Sequence, residues 1–341
     1  MNCKILHRIT LILSFFIFFQ SCHSSSSKKS EQQGEIKAED SRGKMVSLPQ
    51  EAKRVIVLFE PSLDEIYMLH AEDKVVGIPQ QVFQNEDKFE FYAKLDERIK
   101  NKTIATPTFG GGSSNIETIV GLQPDLAIVY EQNIETIQQL EELNIPVFTV
   151  SSLSQDKIYK ELLGMGTLLG KKQRAEEVVS YVKTEAKKLK APVNEKPKKV
   201  YYAWSKGRIF STSGKGTLLD LAIKLSGAEN ACPLEMESPN VGAESIYKWN
   251  PDLIVLWNSS LDEVYQLKEL AALPAVKSKQ VFAMNPAFYY DPHTVKFLLF
   301  AKQLRNWCYP SAYSTEQLDK EVQNDIMQLY QKPDLYKKNA I

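Results

Sequence analysis

Lys171-Lys-Gln-Arg-Ala-Glu-Glu-Val-Val-Ser-Tyr-Val-Lys-Thr-Glu-Ala-Lys-Lys-Leu-Lys190 is the stretch on which the fold turns. Ala175, Val178, Val179, Val182, Ala186 and Leu189 recur at helical spacing, which predicts a helix with one apolar face. Lys and Glu fill most other positions, so the opposite face belongs to water. Gly170 before it and Pro192 after it are boundary residues. At about 1.5 Å per residue the helix reaches roughly 30 Å, enough to brace two compact bodies.

Two similar segments flank this rod. Glu117-Thr-Ile-Val-Gly-Leu-Gln-Pro-Asp-Leu126 precedes it, and Glu244-Ser-Ile-Tyr-Lys-Trp-Asn-Pro-Asp-Leu253 follows it, a shift of 127 residues between position 117 and position 244. Glu, Ile, Pro, Asp and Leu recur in register, and each copy runs into an apolar strand. A helix followed by Pro-Asp and a strand is also a common α/β connection, so the repeat is read together with what surrounds it. Around it, continuous apolar runs predict strands buried on both faces: Arg54–Phe59, Lys74–Ile78, Leu126–Tyr130 and Val147–Val150 before the rod. Lys199–Trp204, Arg208–Ser211, Leu253–Trp257 and Val281–Met284 follow it. Helical patterns alternate with these strands, among them Leu261–Leu270, His293–Trp307 and Thr315–Tyr330. The expected fold is two Rossmann-like α/β lobes with parallel sheets, bridged by one long helix. The N-terminal lobe is placed at 44–170, the bridge at 171–190, the C-terminal lobe at 191–331 and a polar tail at 332–341.

At 341 residues there is room for roughly two domains. Lys plus Arg equals Asp plus Glu, 42 each, so no global field attracts nucleic acid. None of the four cysteines forms C-x-x-C or a Cys/His cluster, which argues against a structural zinc site. Lys4, His7 and Arg8 precede the apolar run Ile9–Phe19, too short to span a bilayer and suited to a signal peptide ending at residue 21. Phe19-Gln-Ser-Cys22 resembles the lipobox of bacterial lipoproteins, with Phe where Leu is usual, and would make Cys22 the lipidated first mature residue. Residues 22–43 are rich in Ser, Lys and Gln and read as a flexible tether.

Open α/β sheets bind ligands at the C-terminal ends of their strands. That nominates Phe59, Glu60, Pro79, Tyr130, Glu131, Trp204, Trp257, Asn258, Tyr289 and Tyr290 as cleft residues, with Lys206 and Arg208 in the turn after Trp204. Aromatics there suit a macrocycle or catecholate ring; the same aromatics could equally belong to lobe cores. His293, after Asp291-Pro292, is a candidate ligand to the metal of a bound complex. There is no H-E-x-x-H and no G-x-S-x-G, and no resident cofactor or metal is expected; nothing in the sequence asks for catalysis. Cys232 and Cys308 could form a disulfide in an oxidising compartment.

Taken in order, Arg54-Val-Ile-Val-Leu, Asn115-Ile-Glu117 through Leu126, Leu143-Asn-Ile-Pro-Val147, Thr212-Ser-Gly-Lys215, Ser226-Gly-Ala-Glu-Asn230 and Glu244 through Leu253 resemble the periplasmic binding proteins of ABC importers for metal chelates. The resemblance covers residues 43–313. It implies a monomeric, lipid-anchored protein on the periplasmic side of the envelope, binding a ferric siderophore first, then a cobalamin or haem, and delivering it to an ABC permease dimer and its ATPase. It also implies that Glu117 and Glu244, one per lobe, dock onto permease arginines. Ser114-Asn-Ile-Glu117 is also a capping box, which would turn Glu117 back onto its own helix. An oxyanion ligand would call for fewer aromatics and more donors. Two other readings stay open: an enzyme on the same architecture, such as a metal chelatase, and a surface receptor lipoprotein independent of a permease.

Overall fold

The computed structural model describes residues 34–108, 113–151, 153–189, 194–204, 207–284 and 286–336. The signal peptide, Cys22 and Lys206 lie outside the described residues.

Strands β1 (Ile36–Glu39) and β2 (Met45–Leu48) form an antiparallel hairpin, with Ile36 opposite Leu48. The folded body therefore begins inside the stretch expected to be tether. Alternation explains it: Ala38 on β1 and Val46 and Leu48 on β2 are buried while their neighbours face water.

The first lobe is built on β3 (Val55–Val57), β4 (Val75–Gly77), β5 (Leu126–Tyr130) and β6 (Val147–Val150), all parallel, in the order β4-β3-β5-β6. The second is built on β7 (Lys199–Ala203), β8 (Glu229–Asn230), β9 (Leu253–Trp257) and β10 (Val281–Met284), all parallel, in the order β8-β7-β9-β10. The two sheets share one strand order, so the repeat in the sequence is a repeat in the fold. Its Asp has the same task in each copy. Asp125 accepts the backbone N–H groups of Lys53 and Arg54 at 2.8 and 2.9 Å. Asp252 accepts that of Lys199 at 2.8 Å. Each carboxylate thus ties the start of one central strand to the start of its neighbour and satisfies amides that the ladder leaves open.

The bridging helix spans Lys172–Leu189, and Ala175, Val178, Val179, Val182, Ala186 and Leu189 are its buried residues. It is not an isolated strut. Arg174 donates to the carbonyls of Met68, Gln328 and Leu329 at 2.7–2.9 Å, and the Tyr181 hydroxyl donates to Asp325 at 2.6 Å. The last helix, Thr315–Tyr330, returns to the first lobe, where the Tyr330 hydroxyl donates to Asp64. One hydrophobic core accordingly runs from Ala38 to Leu335. Packing continues past residue 331: Leu335 is buried and the Tyr336 hydroxyl donates to Asp319 at 2.6 Å.

Local departures have local causes. Arg208–Ser211 is a turn rather than a strand, with only Ser211 bridging to Asn240. Leu261–Leu270 breaks into a helix at Asp262–Tyr265 and a 3-10 turn at Lys268–Leu270. The helix expected from His293 begins at Phe297, because the Asp291 carboxylate takes the His293 N–H at 2.9 Å and holds a side-chain turn. Cys232 and Cys308 are both free and buried. The disulfide expected between them is therefore not formed.

Candidate functional site

In each lobe the chain lays a strand on one side of the first central strand and then crosses to the other, which makes the gap between β3 and β5, and between β7 and β9, a topological switch point. Phe59 and Tyr130 stand at the first of these and stack at 4.7 Å with nearly parallel rings. Trp204 and Trp257 stand at the second. Trp204 is fixed by its indole N–H, which donates to the Thr212 carbonyl at 2.8 Å.

His293 joins this arrangement. Its ring stacks on Trp204 at 5.8 Å between centroids, and its Nδ1 lies 2.8 Å from Asp291 Oδ1. That contact fixes the tautomer with the proton on Nδ1 and leaves Nε2 as the available nitrogen, as in carboxylate–histidine–metal triads. The imidazole is one-third exposed. Burial works against its protonated form, yet the Asp291 hydrogen bond and the carboxylates of Asp291 and Glu237 raise its pKa above the ordinary histidine value. Burial likewise works against an ionised Asp291, but His293, Lys88 and Lys296 hold it well below the usual carboxylate range.

Two small cavities flank His293. One, of about 110 Å³, joins Asn85, Asp87 and Lys88 of the first lobe to Trp257, Asp291 and His293 of the second. The other, of about 30 Å³, joins Leu153 of the first lobe to Trp204, Ser213, Glu237 and His293. Beneath them is a polar floor. Glu60 is buried, accepting the Tyr92 hydroxyl at 2.9 Å and pairing with Lys88. The fully buried Lys296 lies 2.8 Å from Asp64 and donates to the Phe288 carbonyl at 2.6 Å, with Phe288 3.5 Å below it as a cation–π partner. Burial pushes the Asp64 carboxyl up to about 6. Burial, with Glu161, Asp64 and Asp291 nearby, pushes the Glu65 carboxyl well above the usual carboxylate range.

A strap closes one side. The segment 234–241 is held by backbone bonds to 210–215: Gly214 to Met236 at 2.9 Å, Lys215 to Leu234 at 2.7 Å and Thr212 to Pro239 at 3.0 Å. Its approach at Gly214 is so close that a Cβ there would stand 2.1 Å from the Leu234 oxygen. The strap carries exposed Glu237 to the cleft.

Of the residues nominated from the sequence, Phe59, Tyr130, Trp204, Trp257, Asn258 and His293 lie at the switch points or line the cavities around His293. Glu131 continues from β5, half-buried beside Tyr130. Arg208 is exposed in its turn, with its field on Tyr202. Four assignments need correction. Pro79 is buried at the end of β4 as the start of a turn. Glu60 is committed to Lys88 and Tyr92. Tyr289 and Tyr290 are core residues, the former donating to the Leu335 carbonyl at 2.7 Å and packing edge-on to Phe91. Lys88 and Glu237 went unrecognised, and neither carries a sequence signal.

Glu117 and Glu244 are exposed in the first turns of the matching helices Ile116–Gly121 and Ala243–Trp249. The N-cap of the first is Asn115, which accepts the Thr118 N–H at 3.0 Å, while Ser114 pairs with Thr136. The capping box is therefore not formed. Helices that connect parallel strands run antiparallel to them, so these two first turns lie on the ligand-binding side of their sheets.

The sequence profile described as periplasmic binding protein matches residues 55–287. An uncharacterised ABC transporter substrate-binding lipoprotein of Bacillus subtilis (strain 168) is 24% identical over 272 residues, 77% of this chain and 82% of the relative. The molybdate-binding protein of Haemophilus influenzae is 26% identical over 335 residues, 86% of this chain and 92% of the relative. The Haemophilus influenzae molybdate periplasmic binding protein, solved with molybdate, aligns with a TM-score of 0.72 at 22% identity, covering 88% of this chain and 99% of that one. A Helicobacter pylori protein solved as a nickel–histidine complex aligns with a TM-score of 0.70 at 21% identity, covering 88% and 97%. At these identities the structural likenesses speak to fold.

Proposed function

The chain belongs to the periplasmic binding protein family, and from that premise we propose that it holds a small metal chelate between its lobes and hands it to an ABC permease and its ATPase. The observation that carries this reading is the Asp291–His293 pair, stacked on Trp204 at the second switch point with Nε2 available. A carboxylate-oriented imidazole is a ligand for a metal that its chelator leaves incompletely coordinated. The flanking cavities, of about 110 and 30 Å³, favour a compact complex such as an amino-acid chelate over haem or cobalamin. An oxyanion, the ligand in the Haemophilus relative's name, would face the carboxylates of Glu237 and Asp291. Binding and delivery require no chemical step. Lipid attachment at Cys22 would hold the body near its permease.

Docking falls to Glu117 and Glu244, two separated carboxylates on matching helices that fit a two-point contact with arginines. Replacing both by alanine should abolish uptake in vesicles carrying the cognate permease and leave chelate affinity unchanged. Uptake at the normal rate by the double variant would contradict the docking assignment.

A further inference from the structure

The cleft has an uncompensated carboxylate. Lys88 is matched to Glu60, and His293 to Asp291. Glu237 has no hydrogen-bond or ion-pair partner among the described residues, yet it lines the cavity at His293 together with Trp204 and Ser213. Its field reaches both sides of the cleft, falling on His293 of the second lobe and on Tyr130 of the first. Glu131 adds a second negative charge beside Tyr130. The strap fixes where Glu237 stands, because Gly214 and Lys215 hold Met236 and Leu234 by their backbones and leave no space for slippage. An unpaired carboxylate on a fixed backbone, facing a ligand site, acts on ligand charge through Coulomb energy.

We propose that Glu237 sets the charge preference of the cleft, admitting chelates that are positive or that turn an ammonium group toward the strap and disfavouring anionic ones. This rests on coordination by His293, and the test separates the two. Two nickel(II) complexes serve as probes, one with tris(2-aminoethyl)amine, which is doubly positive, and one with nitrilotriacetate, which is negative. Both chelators are tetradentate and leave sites open to an imidazole. Binding is read by native mass spectrometry and by quenching of tryptophan fluorescence.

The unaltered protein should prefer the positive complex. Glu237→Gln should reduce that preference roughly tenfold, and Glu237→Lys should reverse it. His293→Ala should weaken both complexes alike. If the ratio is unchanged in both Glu237 variants while both complexes still require His293, the charge preference is overturned and the coordination stands. If the ratio shifts as stated but His293→Ala binds normally, the charge preference stands and the coordination falls. Failure of both complexes to bind the unaltered protein overturns both.

Discussion

Replacing His293 by alanine is expected to weaken chelate binding at least about 100-fold, since losing only the outer-shell partner of a metal ligand already costs roughly 10–100-fold. The fold should survive, because the imidazole is one-third exposed and its backbone, not its ring, forms the turn to Asp291. Trp204, stacked on the ring, reports the titration by fluorescence. The pH dependence carries a definite sign. Coordination needs the neutral imidazole, and the His293 pKa is raised, so protons compete with the metal below that raised value. Affinity should therefore fall as pH drops from neutrality, by about tenfold per unit once the imidazole is mostly protonated. Asp291→Asn removes the partner that raises the pKa. It should move this midpoint to lower pH while costing affinity about tenfold through lost orientation. A His293→Ala variant that binds as well as the parent, with a flat pH profile, would remove the histidine from the site.

Lys296→Ala is expected to be the most damaging change to stability. It deletes a fully buried cation that faces Asp64 at 2.8 Å, donates to the Phe288 carbonyl and lies over the Phe288 ring. Asp64 would be left buried with only the Tyr330 hydroxyl. Breaking a buried pair from one side costs about 3–5 kcal/mol. The pair Lys296→Met with Asp64→Leu should lose less than Lys296→Ala, because no charge is then stranded. Urea unfolding measures both. The position matters beyond stability: Asp64 belongs to the first lobe, Lys296 to the second and Tyr330 to the returning last helix. Their junction, with Phe91 packed 4.6 Å from Phe288, cements the floor of the cleft. A loss below ~1 kcal/mol would mean that this floor tolerates an unpaired carboxylate, against the ordinary behaviour of buried charge.

The architecture was legible in the sequence for two reasons. The bridging helix shows its buried face because apolar spacing and burial obey the same helical geometry, from Ala175 to Leu189. The repeat is visible because Asp125 and Asp252 each complete the same strand-start hydrogen bonding, a task few residue types perform. The aromatics at the switch points were accessible through strand order alone. What stayed hidden depends on tertiary partners. Tyr289 and Tyr290 follow a strand end as Tyr130 does, but a 3-10 turn folds them into the core against Phe91 and the segment at Leu335. Lys88 lies on an ordinary amphipathic helix, and only the folded chain brings it to Glu60. Glu237 rides on a strap held by backbone bonds, which leave no periodicity in the side chains.

X-ray absorption at the metal edge, on the protein loaded with the nickel(II) complex of tris(2-aminoethyl)amine, tests the central claim most directly. The account predicts one imidazole in the nickel's first shell, lost in His293→Ala; a bound complex whose shell matches the free complex, with or without His293, would contradict it.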